Sequence, residues 1–178
     1  MSEDYSHFTK RDDVALLLPE GGIGIELGVA EGTFSERIMR RSKLAFMYGV
    51  DMYAGDRGHD IEQYRKALVA LEPYKERYSL LRMRFDEALP LFPDAYFDFI
   101  YVDGYAHTGE EEGQTFLDWY PKLKTGGIFA GDDYSPVFPK VMQYVDGFAG
   151  LHDLQLHVIQ CWEEHWACQQ PTWFMRKL

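Results

Sequence analysis

Basic charge is scarce in this sequence: 18 lysine and arginine residues stand against 29 aspartate and glutamate, a formal net charge of −11. That balance argues against nucleic acid or an anionic membrane surface as an obligate partner, since both need a positive face. Long apolar runs are missing too, and none approaches the roughly 20 residues of a membrane span. The opening residues, Met1-Ser-Glu-Asp-Tyr-Ser, lack the basic and apolar regions of a signal peptide, so a cytoplasmic location is expected. Cysteine is nearly absent. Cys161 and Cys168 flank His165 and follow His157, but their spacing fits no usual paired-ligand pattern, and free thiols beside a hairpin are the preferred reading over zinc. Neither an internal repeat nor a low-complexity linker is present. What remains is 178 residues with 46% hydrophobic content, enough to bury one core. A single domain over 1–178 is expected, with 1–12 a flexible polar tail and a small molecule as partner.

The most informative stretch is Gly22-Ile-Gly-Ile-Glu-Leu-Gly-Val-Ala-Glu-Gly-Thr-Phe34, followed by an apolar run from Phe46 to Val50 that ends in Asp51. It reads as a buried strand, a glycine turn, a helix and a second strand, with Gly28 and Gly32 allowing close backbone approach to a ligand. Asp51 then stands at a strand tip, where a carboxylate can accept both hydroxyls of a ribose. A dinucleotide fold would want Gly-x-Gly-x-x-Gly to cradle a pyrophosphate. The chain offers Glu26-x-Gly28-x-x-x-Gly32, and the carboxylates of Glu26 and Glu31 suit a ligand carrying an ammonium and a sulfonium better than one carrying phosphates.

Strand and helix signals alternate along the chain. Strands are expected at Ile23 to Leu27, Phe46 to Val50, Tyr78 to Met83, Phe97 to Val102 and Ile128 to Ala130. Helices are expected at Thr33 to Arg41, around Ile61 to Leu71, at Glu110 to Tyr120, and along Phe138, Val141, Met142, Val145 and Phe148. Val14 to Leu18 reads as a short apolar turn, and Gly126-Gly127 as a break. Parallel neighbours need crossovers, so this alternation predicts a mostly parallel sheet with helices on both faces. Leu154 to Ile159 and Thr172 to Met175 have no helix between them and predict a terminal antiparallel hairpin.

The glycine motif resembles the first motif of the class I S-adenosylmethionine-dependent methyltransferases, Glu/Asp-x-Gly-x-x-x-Gly. The segments Phe97-Asp-Phe-Ile-Tyr-Val-Asp-Gly104 and Trp119-Tyr-Pro-Lys-Leu-Lys-Thr-Gly-Gly-Ile-Phe-Ala-Gly-Asp-Asp-Tyr134 resemble a subgroup that includes sugar, macrolide and catechol-type O-methyltransferases. The matches run from about Gly22 to Phe148. The resemblance implies a Rossmann-like α/β fold, a seven-stranded sheet of order 3-2-1-4-5-7-6, and methyl transfer to oxygen on a small hydroxylated molecule such as a sugar, polyketide or catechol. No Asn-Pro-Pro-Tyr-like motif follows the fourth strand, which disfavours methylation of amino groups. Two other readings stay open: a NAD-dependent oxidoreductase, opposed by the glycine spacing and the hairpin, and a non-catalytic binding protein that kept the fold.

By the same resemblance, Glu26, Gly28 and Gly32 surround the amino acid and sulfonium of the cofactor, Asp51 holds the ribose, and Met52 packs on the adenine. Arg84 and Phe85 fall where family members contact the adenine amino group. Asp103 either contacts the cofactor or joins Asp132 and Asp133 in holding magnesium or another divalent cation, for which hard oxygen ligands are suited. Asp133 and His107 are the catalytic candidates. Subgroup members place a histidine three residues after the fourth-strand aspartate, whereas here that position is Ala106 and the histidine is His107. Glu110-Glu111-Glu112 reads as a solvated first helical turn. Trp162, Trp166 and Trp173 read as an aromatic wall over the acceptor or as a homodimer contact.

Overall fold

A computed structural model describes residues 4–55, 59–104, 112–161 and 170–178. Seven strands are formed: β1 (Ile23–Leu27), β2 (Phe46–Asp51), β3 (Tyr78–Arg82), β4 (Phe97–Val102), β5 (Leu123–Gly131), β6 (His157–Ile159) and β7 (Thr172–Arg176). They make one sheet of order β3-β2-β1-β4-β5-β7-β6, parallel except where β7 meets β5 and β6. The implied order and the terminal hairpin are both present. Among the described residues, five α-helices accompany the sheet: α1 (Thr33–Arg41), α2 (Ile61–Leu71), α3 (Phe85–Ala88), α4 (Gln114–Trp119) and α5 (Pro139–Leu151). A 3-10 helix over Arg11–Leu17 precedes them.

The central strands are buried on both faces, which is why their sequences run apolar without alternation. One core joins Val14 to Phe34, Ile38, Ala67 and Leu71, so the 3-10 helix, α1 and α2 share a face. The other joins Ala88, Phe116, Trp119, Val141, Val145 and Phe148 to Trp173 and Met175. Among the described residues, no helix is long and apolar enough to cross a membrane.

Four expectations are corrected. The segment read as a flexible tail is packed from Tyr5 onward: the Tyr5 ring meets Phe174 edge-on at 5.0 Å, and Phe8, Arg11 and Asp12 are buried. Asp12 pairs with Arg37 and Arg41, and Asp13 with Arg41 at 2.6 Å, which binds the segment to α1. Second, β5 does not begin after Gly126-Gly127 but at Leu123. It runs through them with an irregularity, two β4 steps from Phe97 to Phe99 facing five from Leu123 to Ile128, and Gly126 (φ 81°) supplies the turn that absorbs the excess. Third, the α4 helix starts at Gln114, because Glu112 and Gly113 are both left-handed (φ 57° and 77°); Glu112 is exposed outside the helix, and Glu110 and Glu111 lie outside the described residues. Fourth, Trp173 is neither a wall nor a surface contact. It is 1% exposed, packed against Phe116 and Phe129, and a Cβ at Gly131 would come within 2.5 Å of its ring. Trp162, Trp166, His165 and Cys168 lie outside the described residues. Cys161 is buried and free, and His157 stacks on Phe174.

Candidate active site

In a doubly wound sheet, ligands bind beyond the carboxyl ends of the strands. Three of the six non-glycine residues with positive φ among the described residues lie there. Ala30 after β1 (φ 48°), Tyr53 after β2 (φ 47°) and Asp133 after β5 (φ 62°) are left-handed without being glycine. Each such residue costs about 1–3 kcal/mol, a cost that concentrates at functional sites. The Tyr53 hydroxyl donates to the Ala30 carbonyl at 2.7 Å and ties two of them together.

Asp51 is the hub of this end. One carboxylate oxygen, Oδ2, accepts the N–H groups of Val29 and Ala30, each at 3.0 Å, and lies 3.3 Å from His59 Nδ1. Its Oδ1 accepts the Tyr53 N–H at 3.2 Å. Burial works against the charge, but the His59 contact and the Ala30 and Tyr53 amides outweigh it and hold Asp51 below the usual carboxylate range. A carboxylate oxygen can accept two hydrogen bonds, so Oδ1 keeps capacity for a ribose hydroxyl. The chain therefore fits the ribose of an adenosyl cofactor here.

The glycines serve the protein first. At Gly28 (φ 96°) a Cβ would overlap the Asp103 carbonyl oxygen, and at Gly32 (φ 82°) it would lie 3.3 Å from Ala67 Cα. The close approach expected toward a ligand is made by Gly28 to the turn after β4 and by Gly32 to α2. Glu26 is also placed differently. It is 1% exposed beneath α1, where it accepts the Ser35 hydroxyl, and Ser35 Oγ lies 2.6 Å from Tyr78 Oη. Burial pushes its carboxyl well above the ordinary value, and it stands as an interior group beneath α1 and not as a residue lining the cleft. A raised folded-state pKa contributes stability that is present below the unfolded value and is lost as pH rises. Glu26→Gln should therefore match the wild type near pH 4 and gain on it progressively as pH rises above the ordinary carboxylate value, by about 1.4 kcal/mol per pH unit until the raised folded-state value is passed. Thermal melts across that range check it, and parallel curves would refute the assignment.

At the acceptor end, Asp103, Asp132 and Asp133 follow β4 and β5 as expected, but the cation they meet belongs to the chain. Arg11, only 2% exposed, pairs through Nη2 with Asp103 and through Nη1 with Asp132 at 3.2 Å. Its Nε–H donates to Tyr101 Oη at 2.8 Å, and its guanidinium lies 4.2 Å from the Phe34 ring centre. Thr172 Oγ1 donates to Asp132 Oδ1 at 3.3 Å, which leaves Tyr101 as donor in its 3.0 Å bond to Thr172. Burial pushes Asp132 up to about 8; Arg11 opposes the rise, while Asp103 and Asp133 add to it. One guanidinium faces several carboxylates here, and their mutual repulsion and burial together raise Asp132. Among the described residues, no group of three histidine, cysteine, aspartate or glutamate side chains could hold a metal ion. The trio expected to coordinate a divalent cation does not fit that role while Arg11 stands between two of its members.

A family model described as a methyltransferase domain matches residues 25–134, the stretch from β1 to the end of β5. The chain belongs to this family. Comparison with curated proteins finds no match. Similar solved structures include an O-methyltransferase from Bacillus cereus in complex with S-adenosylhomocysteine, at 12% identity and TM-score 0.68, covering 92% of this chain and 77% of that one. An S-adenosylmethionine-dependent O-methyltransferase from Thermotoga maritima matches at 16% identity and TM-score 0.67, covering 100% and 67%. A tRNA (m1A58) methyltransferase from Aquifex aeolicus matches at 16% and 0.66, covering 99% and 72%. At such identities the likeness speaks for the fold.

In this methyltransferase the remaining expected residues divide. Met52 is 40% exposed beside Asp51, which leaves its side chain open to a ligand instead of buried in the core. Phe85 faces the turn after β4, since a Cβ at Gly104 would come within 2.5 Å of its ring. Arg84 is exposed and held by its own helix start: its Nε pairs with Asp86 at 2.9 Å and its N–H donates to Glu87. His107 lies outside the described residues. Sequence reasoning missed Arg11, His59, Tyr53 and Tyr101. Only the surplus of acidic residues at the strand ends hinted that a buried cation was needed.

Proposed function

We propose that this methyltransferase binds S-adenosylmethionine beyond β1, β2 and β4 and transfers its methyl group to oxygen on a small hydroxylated molecule of the sugar, polyketide or catechol type. The observation that carries the reading is Asp51, fixed by the amides of Val29 and Ala30 with acceptor capacity left for a ribose. An acceptor oxygen lone pair forms the new C–O bond as the C–S bond of the sulfonium breaks, S-adenosylhomocysteine leaves, and the hydroxyl proton passes to a base. We assign that base to Asp133, buried after β5, with His107 as the second candidate. The protein's main contribution is positioning in a water-poor cleft.

The fold is shared with a tRNA methyltransferase as much as with O-methyltransferases, so it does not choose the acceptor. What supports a small acceptor is charge, since a formal −11 opposes a polyphosphate substrate. Incubation with methyl-labelled S-adenosylmethionine and a panel of catechols, sugars and polyketides, with tRNA alongside, tests the reading. O-methylated small-molecule product is expected. Label on tRNA or on nitrogen would contradict it.

A further inference from the structure

The three carboxylates beyond β4 and β5 come from positions where a divalent cation would be gathered, yet a guanidinium holds two of them. Arg11 is brought there by design of the N-terminal segment. The Asp13 carboxylate accepts the N–H groups of Thr9 and Lys10, each at 2.8 Å, and so fixes the start of the 3-10 helix. Asp12 and Asp13 then anchor that helix on Arg37 and Arg41 of α1. Between these anchors Arg11 turns the other way, into the sheet, with Phe34 and Tyr101 against its guanidinium. A planar fork with five donors suits paired carboxylates, and burying it without them would be costly.

We infer that Arg11 is the resident cation of the acceptor end, standing in place of a divalent metal ion and positioning Asp103 and Asp132. The inference rests on the proposed methyl-transfer site for its meaning but not for its test. Arg11 is too enclosed to touch an acceptor, so it is a positioning residue. Its charge offsets the mutual repulsion of the carboxylates, as a metal ion would, and its donors engage the Asp103 and Asp132 oxygens that a metal would need. The site should accordingly ignore divalent cations until the arginine is removed.

Manganese alone is the probe, read by electron paramagnetic resonance and by thermal melting of the full chain. Wild-type protein should leave millimolar manganese free in solution and show no shift in melting temperature, before or after EDTA. Arg11→Ala should gain manganese binding at least tenfold over wild type together with a manganese-dependent rise in melting temperature, and Asp132→Asn added to it should abolish both. Where Arg11→Ala fails to fold, Arg11→Gln keeps the bulk and the aromatic packing and should show the same gain. The inference is overturned if wild-type protein binds manganese through Asp132, or if either folded variant gains no affinity. Calorimetry with S-adenosylhomocysteine on the same samples distinguishes failure of the methyltransferase site, since manganese binding does not depend on it.

Discussion

Gly28→Ala is expected to lower the stability of this protein by about 3 kcal/mol or more. A left-handed backbone costs a side-chain-bearing residue roughly 1–2 kcal/mol. The added Cβ would also overlap the Asp103 carbonyl oxygen, with Gly104 Cα behind it. Neither neighbour is the far end of a flexible side chain. Both are backbone, held in turn by the Asp103 N–H bond to Leu27 O at 2.7 Å and the Gly28 N–H bond to Val50 O at 2.8 Å. Relief therefore requires β1 and β4 to part at the cleft, and overpacking of this kind adds roughly 1–3 kcal/mol. Chemical denaturation measures it. A loss below about 1 kcal/mol would mean that the contact between these two turns is looser than described, whereas Gly55→Ala, with nothing within 4 Å, should show the backbone cost alone.

Asp51→Ala is expected to weaken S-adenosylhomocysteine binding by roughly 1–3 kcal/mol, about 5- to 150-fold, through loss of charged hydrogen bonds to the ribose. The same change removes the acceptor of three loop amides, from Val29, Ala30 and Tyr53, so the cleft loses its shape as well as its charge. A second signature separates the two contributions. The folded-state pKa of Asp51 is depressed, so its stabilisation is present above the ordinary carboxylate value and disappears as pH falls through the depressed one. Wild-type protein should lose stability below about pH 4 relative to Asp51→Ala, and the gap between their melting temperatures should narrow there. Binding that is undiminished in the variant would remove Asp51 from the cofactor site.

The fold was legible because its signals were local. Buried parallel strands show as apolar runs, Gly28 and Gly32 punctuate the first turn, and the sequence after Leu154 offers two strand signals without a helical pattern between them, which marks the hairpin. Boundaries slipped where a single backbone choice decided them, as at Glu112 and Gly113 before α4 and at the Gly126 turn inside β5. The site was legible as a set of positions and not as a set of partners. Nothing near Arg11 in sequence distinguishes it from a solvated residue of a polar tail; its partners Asp103 and Asp132 come from strands formed far along the chain. Glu26 was misread for the same reason. Its neighbours in sequence suggested a lining carboxylate, but the Ser35 hydroxyl and burial under α1 turned it inward. Asp51 alone could be placed from pattern, since a carboxylate ending the second strand is fixed by the same loop whatever lies further along.

The central claim is that the carboxyl ends of β1 and β2 form an adenosyl site. Isothermal titration of the purified protein with S-adenosylhomocysteine, and separately with NAD, tests it most directly. Saturable binding of S-adenosylhomocysteine with no heat from NAD is the predicted result. Binding of NAD in preference to the adenosyl ligand, or binding of neither, would contradict it.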